Sequence, residues 1–284
     1  MAAFTSTELT ATIQDLWDHV VEEARYATGV VLNRVANKSA QVKMGDSVRV
    51  TYGARYTTAG VTVATGAFST QTVTPTGTTV TVDQWKAVPI EVPYIMKDQS
   101  FWNPEDTFAR DAGAAMAEDN DNYLLDLDSN FTSNDVNAAA TPTTFDDIAM
   151  LAAVLKLRDR NIPLNELSFI LPPIAYYKGI FTKPEFRDAD KTGLPKSVLT
   201  TGYREKFLGV PAYETTLVNT DGISRVGLLI HKTAMAIAFQ RNAEIKQAEG
   251  IAAGKLSTIR VLHSLYGASA WRTDHASRIF ITKD

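Results

Sequence analysis

The sequence contains no cysteine among its 284 residues, which excludes disulfide staples, thiolate nucleophiles and thiolate metal sites. An excess of basic charge is also missing: 28 Lys and Arg stand against 32 Asp and Glu, a formal net charge of -4. That argues against a generally basic nucleic-acid binder, although local patches stay open. No apolar run is long enough to span a bilayer, since the richest, Val226 to Phe239, is interrupted by His231 and Lys232. Met1 to Glu8 lacks a basic n-region, so the expectation is a soluble protein without a secretion signal and without a membrane partner. One local absence is more informative than these. From Tyr56 to Val82 there is no Asp, Glu, Lys or Arg, and the stretch is rich in Thr, Val and Gly.

A hydrophobic content of 45% places the chain among globular proteins, large enough for one large domain or two smaller ones with a shared core. Thr7 or Thr10 can cap a first helix reaching about Ala27, with Ile13, Leu16, Trp17, Val20, Val21 and Ala24 as its apolar stripe. Such a helix fits its own domain or a neighbouring copy equally.

Between Gly45 and Pro93 the pattern becomes sheet-like. Val48 and Val50 alternate in one short strand, Val80 and Val82 in a later one, and Gly60, Gly66, Pro75 and Gly77 punctuate the uncharged interval. An extended hairpin fits this layout, and uncharged strand edges invite pairing with another chain. A buried hairpin and a loop without a partner are the alternatives. Trp85, Val88, Ile90 and Val92 then lead toward a long helix.

That helix is expected from Asn103 to about Asp128. Asn103 is placed to cap it, Pro104 suits the first position, and Glu105 and Asp106 favour the positive end of the dipole. Phe108, Ala112, Ala115, Met116, Tyr123 and Leu127 return to one face, while Arg110, Asp111, Glu118, Asp121 and Asn122 are assigned to the polar side. Unbroken, it is a rod of roughly 35 Å; the alternative is an ordinary core helix interrupted at Asp119 to Asp121.

After a polar connection, Thr132 to Thr144, a helix is predicted from Asp147 to Arg160 with Ile148, Leu151, Ala152, Leu155 and the stem of Arg158 on its packed side. Leu167 to Leu171 reads as a buried strand stopped by Pro172 and Pro173, and Ile174 to Phe181 as a short helix or turn. Lys183 to Lys206 is charged and loop-like. Phe207 to Val210, Ala212 to Thr215 and Val226 to Ile230 are predicted strands, giving a compact alpha/beta unit from about Pro142 to Arg241. Ala234 to Phe239 and Glu244 to Gln247 are extended. Leu256 to Tyr266 and Ala276 to Thr282 are expected to return to the sheet that receives Val88 to Val92.

Residues with chemical potential do not form a recognisable set. His19, His231, His263 and His275 lack the helical pairing of a metalloprotease motif. Glu118, Asp119, Asp121, Asp126 and Asp128 could supply oxygen ligands, but their spacing is not that of a calcium loop, and a solvated face or contact with a neighbour's bases is the expectation. Gly60, Gly66 and Gly77 match no phosphate or dinucleotide fingerprint, and Ser264, Gly267, Ser269 and His275 form no nucleophile elbow. Lys178, Lys183, Arg187, Lys191, Lys196, Arg204 and Lys206 make a basic segment interleaved with Tyr176, Tyr177, Phe181 and Phe186, but Glu185, Asp188, Asp190 and Glu205 interrupt it. The expectation is therefore a protein that is not an enzyme, with no catalytic, metal-binding or cofactor-binding residues and no cofactor.

The order of elements carries more. An N-terminal arm, an uncharged hairpin, a long helix, a compact middle unit and late return strands together resemble the major capsid proteins of tailed bacteriophages, whose fold is of the Hong Kong ninety-seven type. Leu167 to Pro173 followed by Tyr176 and Tyr177 resembles the family's strand, proline turn and helix. Leu208 to Ala212 is similar to its glycine-proline strand entry, and Ile230 to Phe239 and Tyr266 to Ile281 to its terminal stretches.

The resemblance implies an α+β fold with an N-terminal arm and helix over 1–44, an extended hairpin loop over 45–93, a peripheral domain with a spine helix over 94–166, an axial domain over 167–241 and a return segment to the peripheral domain over 242–284. It implies a virion protein assembled in the host cytoplasm into pentamers and hexamers of an icosahedral head. Packaged double-stranded DNA would be held without base-specific contacts, and a portal protein and a decoration protein belong to the implied partners. Phe68, Val73 and Val80 become hairpin contact candidates, with Arg55, Asp83, Lys86 and Glu91 near its base. The segment before the hairpin is too short for a large fused scaffolding domain, so a separate scaffolding protein is expected. No lysine lies between Lys43 and Lys86, so the lysine-to-asparagine link of one relative is not expected at the hairpin tip. A nanocompartment shell of encapsulin type is the nearest alternative, and a carbohydrate-binding module, suggested by the Thr-rich strands and Trp85, a more distant one.

Overall fold

The computed structural model describes residues 29–42, 45–53, 58–63, 65–72, 76–99, 104–137, 139–183, 206–249 and 255–283. The predicted first helix, the Asn103 cap, Arg55, Val73 and the basic residues from Arg187 to Arg204 lie outside them.

Two sheets organise the described residues. The first has four strands in the order β1-β10-β11-β4: β1 is Ala36–Asn37, β4 Gln84–Pro93, β10 Met235–Glu249 and β11 Ser257–Ala270. The second runs β12-β9-β5-β7-β6, with β8 beside β9. Here β5 is Leu167–Leu171, β6 Lys206–Phe207, β7 Val210–Glu214, β8 Thr220–Asp221, β9 Ser224–His231 and β12 Ala276–Thr282. A two-stranded ribbon, β2 (Ser47–Tyr52) with β3 (Thr76–Thr81), completes the set.

The alternation in β4 decides what covers the first sheet. Val88 and Ile90 share one face and pack with Leu262 of β11 against Ala112 and Met116, which belong to a helix over Pro104–Leu125, here α2, preceded by the short α1 over Tyr94–Gln99. Pro104 opens α2 where a missing N–H costs nothing, and its 22 residues make a rod of about 33 Å. The helix is continuous through Asp119 to Asp121, so the interrupted alternative does not apply.

β5 is buried along its whole length because both faces of the second sheet are covered. On one side Leu167, Phe169 and Leu171 meet Ala149, Met150, Ala153 and Leu157 of α3, the helix over Asp147–Asp159. On the other, Ile170, Leu228, Ile230 and Phe280 meet Leu124 and Leu125 of α2 and Ile237, Tyr266 and Ala268 of the first sheet. The second core therefore lies between the two sheets and binds them together.

Three expectations are corrected. Periodicity put Ile148, Leu151 and Leu155 on the packed side of α3, but all three are exposed, and the smaller Ala149 and Ala153 face the sheet where β12 approaches closely. Ala276–Thr282 does not return to the sheet of Val88; it pairs antiparallel with β9, Ala276 opposite Ile230 and Thr282 opposite Ser224, so 242–284 is shared between the two sheets. Gln84–Pro93 is not part of the hairpin but the edge of the first sheet, with Val88 opposite Leu262. Met235 to Phe239 and Glu244 to Gln247 lie in one strand, β10, whose pairing with β11 shifts register between Phe239 and Glu244. Among the described residues no helix is long and apolar enough to cross a membrane.

Candidate functional site

The uncharged interval forms the most distinctive surface. β2 and β3 pair antiparallel from Ser47 opposite Thr81 to Tyr52 opposite Thr76. At the root, Val50, Val80 and Val82 pack with Val42 on Ala236 and Ala238, the small side chains of β10 leaving room for the ribbon to lie on the sheet. Gly267 of β11 permits the approach: a Cβ there would stand 1.9 Å from the Thr81 carbonyl oxygen. The Val82 N–H donates to the Asp46 carbonyl, and the Gln240 amide to that of Gly45. The Arg272 guanidinium lies 4.8 Å from the centre of the Tyr52 ring.

Beyond the root the chain turns outward. Every described residue from Thr58 to Thr72 is exposed, with a local turn in which the Gly66 N–H donates to the Thr62 carbonyl. Val63 is 100% exposed and Phe68 66%. Exposed, uncharged, β-branched segments with large apolar side chains are open to pairing or packing with other chains.

The contact candidates separate accordingly. Phe68 is free to meet another chain, whereas Val80 is completely buried and serves as an anchor. Lys86 and Glu91 hold the body together: the Lys86 ammonium lies 3.2 Å from Asp119, and Glu91 accepts from Lys255 at 2.6 Å and from Ser257 Oγ at 2.7 Å, bonds that lower its pKa. Asp83 accepts from the Tyr123 hydroxyl at 3.3 Å.

Of the acids along and just beyond α2, Asp126 is exposed as expected, but Asp119, Asp121 and Asp128 bond within the fold. Asp119 accepts from the buried Tyr266 hydroxyl at 2.6 Å, and burial with this carboxylate drives the phenol pKa far up. Asp121 is buried and receives the backbone N–H groups of Val30, Val31 and Leu32, the shortest bond being 2.6 Å. Burial raises its pKa while those N–H groups oppose the rise. It acts as an acceptor for the turn that leads into β1, a role that periodicity could not reveal because it depends on a chain segment 90 residues away. Asp128 accepts from Asn219 at 3.1 Å, and burial raises its pKa also.

Among the described residues the remaining chemical candidates do not assemble into the sets considered from the sequence. Ser264 Oγ donates to the Met116 sulfur at 3.2 Å, while His275 and His231 meet at the Thr233 hydroxyl. Among the described residues no group of three or more His, Asp or Glu side chains is placed to hold a metal ion. Lys178 is exposed, and Trp85 stands exposed on β4.

Comparison with known proteins separates sequence from shape. No family model matches the chain, and no curated protein matches it. Solved structures do. A chain from Mycobacterium phage Che8 superposes with a TM-score of 0.72 at 19% identity, over 89% of this chain and 91% of that one. A chain of the capsid of cyanophage P-SCSP1u gives 0.71 at 12% identity, over 90% and 89%. A chain from the capsid of a native GTA particle gives 0.67 at 13% identity, over 89% and 90%. The α+β architecture described above is thus the Hong Kong ninety-seven type fold seen in phage and GTA capsids.

Proposed function

We propose that this chain, having the fold of capsid subunits, is itself a shell subunit: many copies assemble as pentamers and hexamers into an icosahedral phage head that encloses double-stranded DNA. The observation that carries this reading is the β2–β3 ribbon, anchored by Val50, Val80 and Val82, with every described residue from Thr58 to Thr72 exposed. In an isolated subunit that end is an aggregation hazard; against a neighbouring copy it becomes a contact. In the terms of this reading the second sheet with α3 is the axial unit, and the first sheet with α2 the peripheral unit. A separate scaffolding protein, a portal protein and a decoration protein are the proposed partners, the virion is the proposed location, and the proposed site of assembly is the host cytoplasm. DNA contacts inside such a shell are diffuse and salt-sensitive.

The test is negative-stain microscopy of the protein, purified alone and co-expressed with its assembly factors. Closed particles of uniform size are expected, and persistent monomers under both conditions would contradict the proposal. Particles that retain an enzyme bearing a terminal targeting peptide, in place of DNA, would reassign the shell to a nanocompartment. Specific glycan recognition by a monomer would instead give Trp85 and the Thr-rich strands a carbohydrate-binding role.

A further inference from the structure

The chain passes between its two sheets at two neighbouring crossovers: β9 ends at His231 and β10 begins at Met235, while β11 ends at Ala270 and β12 begins at Ala276. Backbone bonds stitch the crossovers to each other, since the Ala234 carbonyl accepts from both Trp271 and Arg272 N–H groups. A side-chain relay adds a second tie. Thr233 Oγ1 lies 2.8 Å from His231 Nδ1 and 2.7 Å from His275 Nδ1, and the ring centres are 5.4 Å apart.

The bonding fixes how protons must be arranged. The Thr233 backbone N–H also donates to His231 Nδ1, so that nitrogen is an acceptor. The Thr233 hydroxyl then donates to His231, and accepts from the Nδ1–H of His275. Every donor in this chain has one acceptor while both rings are neutral; a proton added to His275 goes to Nε2 and leaves its Nδ1–H bond to Thr233 in place, so at that ring the cost is the buried charge itself. A proton added to His231 Nδ1 would confront the Thr233 N–H and leave the hydroxyl hydrogen without its acceptor. A charge on either ring would also face the Arg272 guanidinium.

We propose that His231, Thr233 and His275 form a proton-sensitive joint between the two sheets, closed while both imidazoles are neutral and released when either is protonated. The groups facing it come from each surrounding element. Arg272 opposes protonation of both rings, Glu166 before β5 favours it at His231, and Asp274, 3.9 Å from His275 Nε2, favours it at His275. Lys232 sits 3.7 Å from Glu166 and offsets that charge. Burial outweighs the acids: it lowers the pKa of His231, and with Arg272 it pushes His275 down to about 4. A folded value below the ordinary one means that this stability is complete above the usual histidine range and is lost as pH falls from about 6.5 toward about 4. The joint belongs to the single subunit, and its test does not depend on shell formation.

Hydrogen exchange of the full chain, read by mass spectrometry at about pH 7 and about pH 4.5 and corrected for intrinsic rates, examines the joint directly. Peptides spanning 231–235 and 271–276 are expected to lose protection by roughly tenfold or more in acid, while peptides from β5 and α3 keep theirs. Thr233→Val, which keeps the volume and removes the hydroxyl, should show the open state at both pH values. His275→Gln, with an uncharged donor, should stay protected and lose most of the acid step. Unchanged protection of the wild-type crossovers, loss spread evenly over the whole chain, or an acid step of wild-type size in either variant would overturn the proposal. Should neither variant fold, the location and size of the wild-type step decide alone.

Discussion

Gly267 and Asp121 show how single positions tie distant segments to this scaffold. The Cβ of Gly267→Ala would collide with the Thr81 carbonyl, so the hairpin root has to lift from β11; overpacking of this kind costs about 1–3 kcal/mol, measurable as a fall in the urea midpoint at unchanged slope. Asp121→Asn keeps the shape but halves the acceptor capacity offered to Val30, Val31 and Leu32, and a loss of about 1–3 kcal/mol at neutral pH is expected from the stranded N–H groups. The sign of its pH dependence follows from the raised carboxyl pKa. A group that binds its proton more readily folded than unfolded stabilises the fold as pH falls, so the gap between wild type and Asp121→Asn should widen on acidification through the carboxylate range. A gap that narrows in denaturation curves across that range would show that the N–H groups, and not burial, dominate at Asp121.

Local signals were enough to place most elements and too little to orient them. Pro104 marked the start of α2, Pro172 and Pro173 the end of β5, and the missing charge between Tyr56 and Val82 the hairpin, because each signal is contained in the segment itself. The packed side of α3 was not legible. Ile148, Leu151 and Leu155 make as good a stripe as Ala149, Met150, Ala153 and Leu157, and the choice depended on how closely a sheet built from residues beyond 166 approaches the helix. The same limit hid the pairing of β12 with β9, since alternation tells that a strand exists and not which neighbour it takes. The orientation of α3 is open to test. Leu155→Gln should change subunit stability by no more than about 0.5 kcal/mol, as expected of an exposed site, whereas Leu157→Ala should cost about 2–5 kcal/mol by opening a cavity. Thermal and denaturant unfolding of the two variants side by side distinguishes this orientation from the reverse.

At the scale of the molecule, the described residues make two sheets joined by a shared core and two crossovers, with an exposed, uncharged segment outside them. Nothing in the sequence identified Asp121, Thr233 or Gly267 as structural keys, because each acts on a partner far along the chain. What sequence did carry was the order of elements, and with it the shape shared with capsid chains at identities below 20%. The function proposed for that shape rests on where the end of the hairpin lies when copies meet. Because the chain has no cysteine, Ser69→Cys places a single photo-crosslinker next to Phe68, and assembly from a mixture of ordinary and heavy-isotope subunits makes crosslinks between copies recognisable by mass. Crosslinked peptides carrying one light and one heavy half, in the proportion of random mixing, are the predicted result. Crosslinks formed only within single-isotope chains would contradict the account.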